Sequence, residues 1–198
     1  GLGGEEAAMI KLPQAGRIVT AHQPVFAPWL GFWHKLALSD LYCVFNGDAV
    51  EGDHHQTTQI MSANPNAQAA CWNAVVAVPL ALKPSAIAII RGTGAHVGPS
   101  ASAEERIADG LRRDKRPIIT DPDTGAASWW HWRPEIHGVR LDFTHHGRMG
   151  RLPRTRGSNL VLYAFDIMDE HAQDGHPLPH LCVRAHNHKR GDSGTACR

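Results

Sequence analysis

Short hydrophobic runs alternate along the chain with longer segments in which apolar residues recur at helical spacing. Runs of strand length lie at 41–45, 86–90, 139–143 and 181–183, the last of them within a strand predicted over 179–185. The unbroken run at 86–90 is typical of a strand covered on both faces. Helical spacing extends over 29–37, over 57–81 with an interruption at 64–66, from Ser100 or Ser102 to 111, and over 159–171. Strands that alternate with helices predict an α/β fold with a mixed, largely parallel sheet.

The segments between these elements are charged, turn-rich or punctuated by Gly and Pro, and we predict that they are irregular. They cover 1–25 apart from a short strand at 17–21, and also 114–127 and 147–157. Residues 135–144 are predicted to form one strand or two strands bent around Gly138. A chain of 198 residues fits a single domain, 1–198, with a substantial core. The chain stops soon after its last strand, so we expect a sheet that lacks edge strands.

Composition is that of an ordinary globular protein except for its histidines. The net charge of +1, from 20 Lys and Arg against 19 Asp and Glu, favours neither a nucleic-acid coat nor a membrane surface. No apolar run reaches the ~18 residues of a membrane span. The four scattered cysteines are typical of free thiols in a reducing cytoplasm. Fourteen histidines indicate metal chemistry, because imidazole is the commonest metal ligand.

Each predicted strand is followed by side chains that can bind a metal. These are Asp48 after the first strand, His96 after the second, His145 and His146 after the third, and His186 and His188 after the fourth. Ligands collect at the carboxyl ends of strands in an open α/β sheet, so the four strands are expected to bring these groups into one crevice. Such groups are unfavourable to bury unless a cation pairs with them. The pattern predicts a metal-dependent hydrolase.

The individual strand ends differ in how specifically they indicate a site. A Gly-Asp pair such as Gly47-Asp48 is by itself typical of a turn, but Asp48 is followed within seven residues by further acids and histidines. These are Glu51, Asp53, His54 and His55. They are more candidate ligands than a turn requires.

The two histidine pairs have different spacing. In an extended chain His186 and His188 face the same way, so both imidazoles can meet one site, although the pair alone is also consistent with a solvated loop. His145 and His146 are adjacent and point in opposite directions, so we expect only one of them at the central site. His96 lies in a Gly-rich turn whose backbone N–H groups can bind an oxyanion.

The order of these motifs resembles the calcineurin-like metallophosphoesterase family, in a form associated with phage and prophage members. The resemblance covers about 29–194 and implies a layered α/β sandwich that hydrolyses phosphomonoesters or phosphodiesters through a dinuclear metal-activated hydroxide. It implies that Asp48 bridges two metals, that His145 and His186 hold one, and that His188 holds the other. His96 would then be the catalytic acid or a phosphate contact.

The same resemblance suggests which groups contact the substrate and which metals are bound. His54, His55, His146 and Arg148 are the candidate substrate contacts, and the run of Arg148, Arg151 and Arg154 is suited to bidentate phosphate binding, although a solvated loop explains it as well. Imidazole and carboxylate ligands together suit Mn²⁺, Fe or Zn²⁺.

Two departures from the family pattern lower the expected activity. The family's first strand carries Asp-x-His, whereas only a lone His22 precedes Asp48 here, and the usual Asn before His96 is replaced in Gly92-Thr93-Gly94-Ala95-His96. We expect one metal to be held well, a second weakly, and turnover to be slow or absent. The start at Gly1 fits a fragment whose first strand is encoded upstream.

Two other interpretations remain open from the sequence. A non-catalytic module with a structural metal would use Trp129, Trp130 and Trp132 as a ligand face, although core packing or a lid explains these tryptophans better. A nucleic-acid substrate is compatible with the Arg-rich loop but is not favoured by the net charge. The sequence predicts neither the substrate nor the oligomeric state.

Overall fold

The protein has a mixed helix and strand fold, in agreement with the predicted α/β class. A computed structural model describes residues 8–11, 18–21, 31–33, 40–52, 62–98, 100–147 and 156–186. Its strands are β1 (Ala8–Lys11), β2 (Ile18–Ala21), β3 (Tyr42–Asn46), β4 (Ala86–Ile90), β5 (Glu135–Ile136), β6 (Val139–Phe143) and β7 (Leu181–Val183). Its helices are α1 (Pro65–Ala81), α2 (Gly94–Val97), α3 (Ser102–Arg113) and α4 (Arg156–Gln173).

The strands of the described residues form three small sheets rather than one large parallel sheet. β3 pairs with β4 in parallel, β6 pairs in parallel with β7 and antiparallel with β5, and β1 pairs antiparallel with β2. Single bridges from Ile90 to Trp129 and from Trp132 to Phe143 link the last residues of β4 and β6. The carboxyl ends of these two strands are therefore joined through a short segment of four residues, 129–132.

β4 is the central strand of the core, as the unbroken apolar run predicts. Ile87 and Ile89 pack on one side against α1 and α3, while Ala88 and Ile90 pack on the other against Trp132 and Phe143. All four of these β4 side chains are at most 1% exposed. Burial of such side chains stabilises the fold by about 1.5–3 kcal/mol each for the larger aliphatic groups.

The predicted segments differ from the structure at several boundaries. The described residues of the N-terminal region form two strands, β1 and β2, where one was predicted. Residues 64–66 begin α1 rather than interrupt a helix, because the Asn64 side chain accepts hydrogen bonds from the N–H groups of Asn66 and Ala67 and Pro65 suits the first helical turn.

Two further differences concern α3 and the strand pair β5–β6. Neither Ser100 nor Ser102 caps α3; the N-cap is Ala101 in a left-handed conformation without a side-chain hydrogen bond. The two-strand alternative holds for 135–144, since His137 and Gly138 both have positive φ and separate β5 from β6. Among the described residues, no helix combines the length and the apolar character needed to cross a membrane.

Candidate metal centre

The end of β3 turns sharply and presents the carboxylate of Asp48. Gly47 and Asp48 have φ values of +76° and +53°, which places both in the left-handed region that L-residues other than glycine rarely adopt. A Cβ on Gly47 would lie 2.1 Å from His145 Nδ1. Only glycine therefore allows the imidazole of His145 to lie against this turn.

The segment after β4 holds the same carboxylate from the other side. The backbone N–H of Thr93 donates to Asp48 Oδ1 at 2.7 Å, and the Thr93 hydroxyl donates to the same oxygen at 3.1 Å. A Cβ on Gly92 would lie 2.2 Å from both the backbone nitrogen and Oδ1 of Asp48. The close approach of the two strand ends therefore requires glycine at position 92.

His145 is positioned as a ligand by its own backbone contact. Its Nδ1–H donates to the carbonyl oxygen of Asn46 at 2.7 Å, which directs Nε2 towards Asp48 Oδ2 at 2.8 Å. Nε2 is buried and faces Asp48 Oδ2, the contact through which Asp48 raises the pKa of this ring. A neutral imidazole with its proton on Nδ1 would place the Nε2 lone pair beside a carboxylate oxygen, an unfavourable arrangement that either a proton on Nε2 or a bound metal cation would relieve.

His186 completes the group from the end of β7. Its Nδ1 lies 3.9 Å from Asp48 Oδ2, and the ligand atoms of Asp48, His145 and His186 all lie within 4.8 Å of one another. We call these three residues the triad. The backbone keeps β7 beside the His145 loop, since the N–H of Ala185 donates to the carbonyl of His145 at 3.0 Å.

The charges of the triad are coupled. Burial would raise the pKa of Asp48, but the contacts with His145 and the Thr93 N–H outweigh it, so this pKa lies well below its usual range. Burial would lower the pKa of His145, but Asp48 and the Asn46 carbonyl raise it above its usual value. The pKa of His146 is lowered by burial and by repulsion from His145 and His186.

His96 and His146 flank the triad. Nδ1 of His96 donates to the Glu51 carbonyl at 3.0 Å, and its Nε2 lies 3.9 Å from Asp48 Oδ2. The His146 ring is nearly perpendicular to that of His145, at an interplanar angle of 86°. As expected for the pair, His145 is buried in the centre and His146 is exposed.

Several predicted residues lie outside the described part of the chain. They are His22, Asp53, His54, His55, Arg148, Arg151, Arg154 and His188. The predicted second metal position, which needs His188, and the predicted substrate contacts at His54, His55 and Arg148 therefore stay predictions. Of the three tryptophans, Trp132 is buried, Trp129 packs against the same core, and Trp130 is 48% exposed.

Glu104, which the strand-end pattern did not indicate as a site residue, lies behind the centre. Its side chain is fully buried and accepts hydrogen bonds from the N–H groups of Ala49 and Gly92. Burial raises the pKa of Glu104 to about 7, against the lowering effect of these two N–H groups. The signal was its spacing: Glu104 shares the buried face of α3 with Ile107, Ala108 and Leu111, the i, i+3, i+4, i+7 pattern of a core position.

A second buried carboxylate, Asp142 on β6, was also not predicted. Its Oδ2 lies 2.7 Å from His131 Nε2, 3.0 Å from His171 Nε2 and 3.3 Å from Arg133 Nε, and Arg184 contacts Oδ1. We call these five residues the Asp142 cluster. Two guanidinium groups already face its carboxylate, so it is an internal salt-bridge network and not a cation site.

The donor set of the triad fits a divalent transition metal. One carboxylate and two imidazoles form a possible metal-ligand group, and imidazole and carboxylate are ligands that transition metals take in proteins. No family model, no curated protein and no solved structure matches this chain.

Proposed function

We propose that this protein is a metal-dependent phosphoesterase that hydrolyses phosphomonoesters or phosphodiesters, with the layered α/β fold of the metallophosphoesterases that its motifs resemble. The observation that carries the proposal is the convergence of Asp48, His145 and His186 from the ends of three strands, β3, β6 and β7. Asp48 and His145 are 97 residues apart in sequence and 2.8 Å apart in space.

The exposure of the triad favours catalysis over a structural metal. The side chain of His145 is 3% exposed, whereas that of His186 is 43% exposed, so the centre is closed on one side and open to solvent on the other. Structural zinc sites are closed by four protein ligands, and catalytic sites keep a position for water or substrate. This asymmetry supports the enzyme over the alternative of a non-catalytic metal-binding module.

The triad would hold one divalent cation, and His188 together with Asp48 is proposed to hold a second, weaker one. When bound, such a cation polarises a phosphoryl oxygen and lowers the pKa of a bound water to near neutrality. The chain contributes the orientation: the Asn46 carbonyl fixes the His145 ring, and Thr93 fixes one oxygen of Asp48 while the other faces the two imidazoles.

His96 is proposed to act on the leaving group. Because its Nδ1 is held by the Glu51 carbonyl, its Nε2 is turned towards the side of Asp48 that faces the triad. An imidazole in this position can donate a proton to the departing oxygen or bind a phosphoryl oxygen. His146, exposed beside the triad, is a candidate phosphate contact together with His54, His55 and Arg148.

A cleft of about 810 Å³ between α1 and α3 is lined in part by His96, and we propose that it receives the organic part of the ester. Its lining also includes Val97, Ile107, Leu111 and Arg113. The volume is in the range of sites that bind small molecules. A nucleotide or the end of a nucleic-acid strand remains a candidate substrate within this class.

Metal-dependent hydrolysis of p-nitrophenyl phosphate and bis-p-nitrophenyl phosphate tests the proposal. We expect slow release of p-nitrophenol with Mn²⁺ that is abolished by EDTA and by Asp48→Asn, with the far-ultraviolet circular dichroism of the variant unchanged. Thr124→Ala, in the turn at 121–126, is the matched control and should keep wild-type rates. The proposal fails if calorimetry detects no Mn²⁺ binding, or if EDTA and Asp48→Asn leave the rate unchanged.

A further inference from the structure

Glu104 is buried in a position where water does not reach its carboxylate. The side chain lies in the first turn of α3 and is 0% exposed. Its two carboxylate oxygens are used separately: Oε1 accepts from the Ala49 N–H at 3.2 Å, and Oε2 accepts from the Gly92 N–H at 2.6 Å. One buried carboxylate thus joins the loop after β3 to the loop after β4.

One of these amides is next to Asp48 in sequence, and the other is next to a residue that binds the Asp48 carboxylate. Ala49 follows Asp48 directly, and Gly92 precedes Thr93, whose N–H and hydroxyl bind Asp48 Oδ1. Asp48 has a positive φ of +53°, a backbone conformation that a residue other than glycine keeps only where surrounding contacts hold it. Glu104 supplies one such contact on each side of the Asp48 carboxylate.

We propose that Glu104 is a positioning residue for the metal centre: it holds the two loops in the arrangement that directs Asp48 at His145 and His186. The proposal rests on the proposed function, because the triad is taken to be the metal site. Glu104 acts through backbone N–H groups and is separate from the triad, whose three side chains supply the ligand atoms.

The neighbouring Glu105 provides a matched control within the same helix turn. Its carboxylate also accepts backbone hydrogen bonds, from the N–H groups of Ala127 at 2.8 Å and Ser128 at 2.9 Å, and it pairs with Arg91 at 3.1 Å. Ala127 and Ser128 lie in a segment that contains no residue of the triad. Glu104→Gln therefore removes contacts to the backbone N–H groups on both sides of the centre, whereas Glu105 reaches the loop after β4 only through the Arg91 side chain.

Titration of the full chain with Co²⁺, followed by calorimetry and by visible absorption, is the first measurement. In Glu104→Gln one carboxylate oxygen becomes an NH₂ group that faces a backbone N–H, so the loops separate. We expect Co²⁺ affinity to fall by about 10–100-fold, as for other groups that orient metal ligands, and the Co²⁺ absorption bands to change. Glu105→Gln should keep the wild-type affinity and spectrum while lowering the unfolding temperature.

Amide hydrogen exchange is the second measurement and does not require metal. Glu104→Gln should speed exchange at Ala49, Gly92 and Thr93 and leave Ser128 protected, and Glu105→Gln should do the reverse. If Glu104→Gln does not fold, Glu104→Asp, which keeps the charge but is too short to reach both loops, is expected to show the same changes.

The outcomes separate the two proposals. A wild-type chain that binds no Co²⁺ overturns the phosphoesterase, and the exchange data then still show whether Glu104 holds the two loops. Wild-type binding that is unchanged in Glu104→Gln overturns the positioning role. Equal losses of affinity in Glu104→Gln and Glu105→Gln overturn it as well, because both would then reflect general destabilisation.

Discussion

Two glycines allow a carboxylate and an imidazole from distant parts of the chain to come within contact distance. Gly47 leaves room for the His145 ring, and Gly92 leaves room for the backbone and carboxylate of Asp48. At both positions a methyl group would overlap atoms of the triad or of its backbone. The precision of the centre therefore depends on residues that contribute no ligand atom.

Gly92→Ala is predicted to weaken metal binding through this contact. Its Cβ would lie 2.2 Å from Asp48 N and Oδ1, so Asp48 must move, and we expect a loss of about 10-fold or more in Mn²⁺ affinity and about 1–3 kcal/mol in free energy of unfolding. Calorimetry and urea unfolding measure the two quantities.

Gly110→Ala is the control for this substitution. A Cβ on Gly110, within α3, meets no described atom within 4 Å, and Ala is favoured over Gly in a helix by up to ~1 kcal/mol. The control should therefore be as stable as the wild type or more stable, with unchanged Mn²⁺ affinity. Retention of full affinity in Gly92→Ala would contradict the steric explanation.

At the scale of elements, the side chain of Asp142 connects β6 to three neighbouring parts of the fold. Asp142 connects this strand to the segment 131–133, to α4 through His171 and to β7 through Arg184. The guanidinium of Arg184 also donates to the carbonyls of Asp142 and Val183 and to the Tyr163 hydroxyl. The Asp142 cluster therefore fastens β6, β7 and α4 together next to the residues that carry His145 and His186.

Asp142→Asn is predicted to destabilise the whole fold rather than the metal centre alone. Removing one partner of a buried ion pair leaves the guanidinium of Arg184 uncompensated and costs about 3–5 kcal/mol. Burial would raise the pKa of Asp142, but His131, Arg184 and His171 outweigh it and hold this pKa well below its usual range. The stability it contributes is therefore present at neutral pH and is lost as pH falls from about 4, the value in unfolded chains, towards the folded pKa.

Urea unfolding at a series of pH values checks this prediction. The free energy of unfolding of the wild type should fall steadily below about pH 4. That of Asp142→Asn should be lower at pH 7 and should change less as the pH falls. Asp109→Asn is a suitable control, because Asp109 forms an exposed i,i+3 pair with Arg112 of the kind that contributes about 0–1 kcal/mol. Equal effects of the two substitutions would contradict the assigned role of Asp142.

At the scale of the molecule, the triad joins the ends of β3, β6 and β7, which are far apart in sequence. A cation held by all three binds the folded chain and not the unfolded one, so it stabilises the fold by mass action. Because Asp48, His145 and His186 lie in three loops, this stabilisation acts on the assembly of the two parallel strand pairs and not on one element.

Thermal unfolding with and without Mn²⁺ measures this coupling. At 100 times the dissociation constant the gain is about 2.7 kcal/mol, which should raise the unfolding temperature of the wild type by several degrees. Asp48→Asn should show little or no rise, since the carboxylate common to the triad contacts is lost. An identical rise in the wild type and in Asp48→Asn would place the metal elsewhere.

Much of the element order could be predicted from periodicity, and part of the site could be predicted from the polar residues at the strand ends. β3, β4, α4 and β7 lie within a few residues of their predicted positions, and Asp48, His145 and His186 meet as the strand-end pattern indicated. The division into three small sheets and the start of α1 were not predicted. Pairing between strands depends on contacts across the chain, and Asn64-Pro65 serves a turn or a helix start equally well.

Local patterning by itself determined where this chain forms strands, where it forms helices and which polar groups follow each strand. Hydrophobic spacing and strand-end residues are properties of neighbouring positions in the sequence. Only the tertiary structure decided that Gly92 faces Asp48, that Asn46 orients His145 and that Glu104 joins two loops. Those contacts link residues 12 to 99 positions apart. Their geometry depends on left-handed turns and buried hydrogen bonds, which spacing along the sequence does not encode.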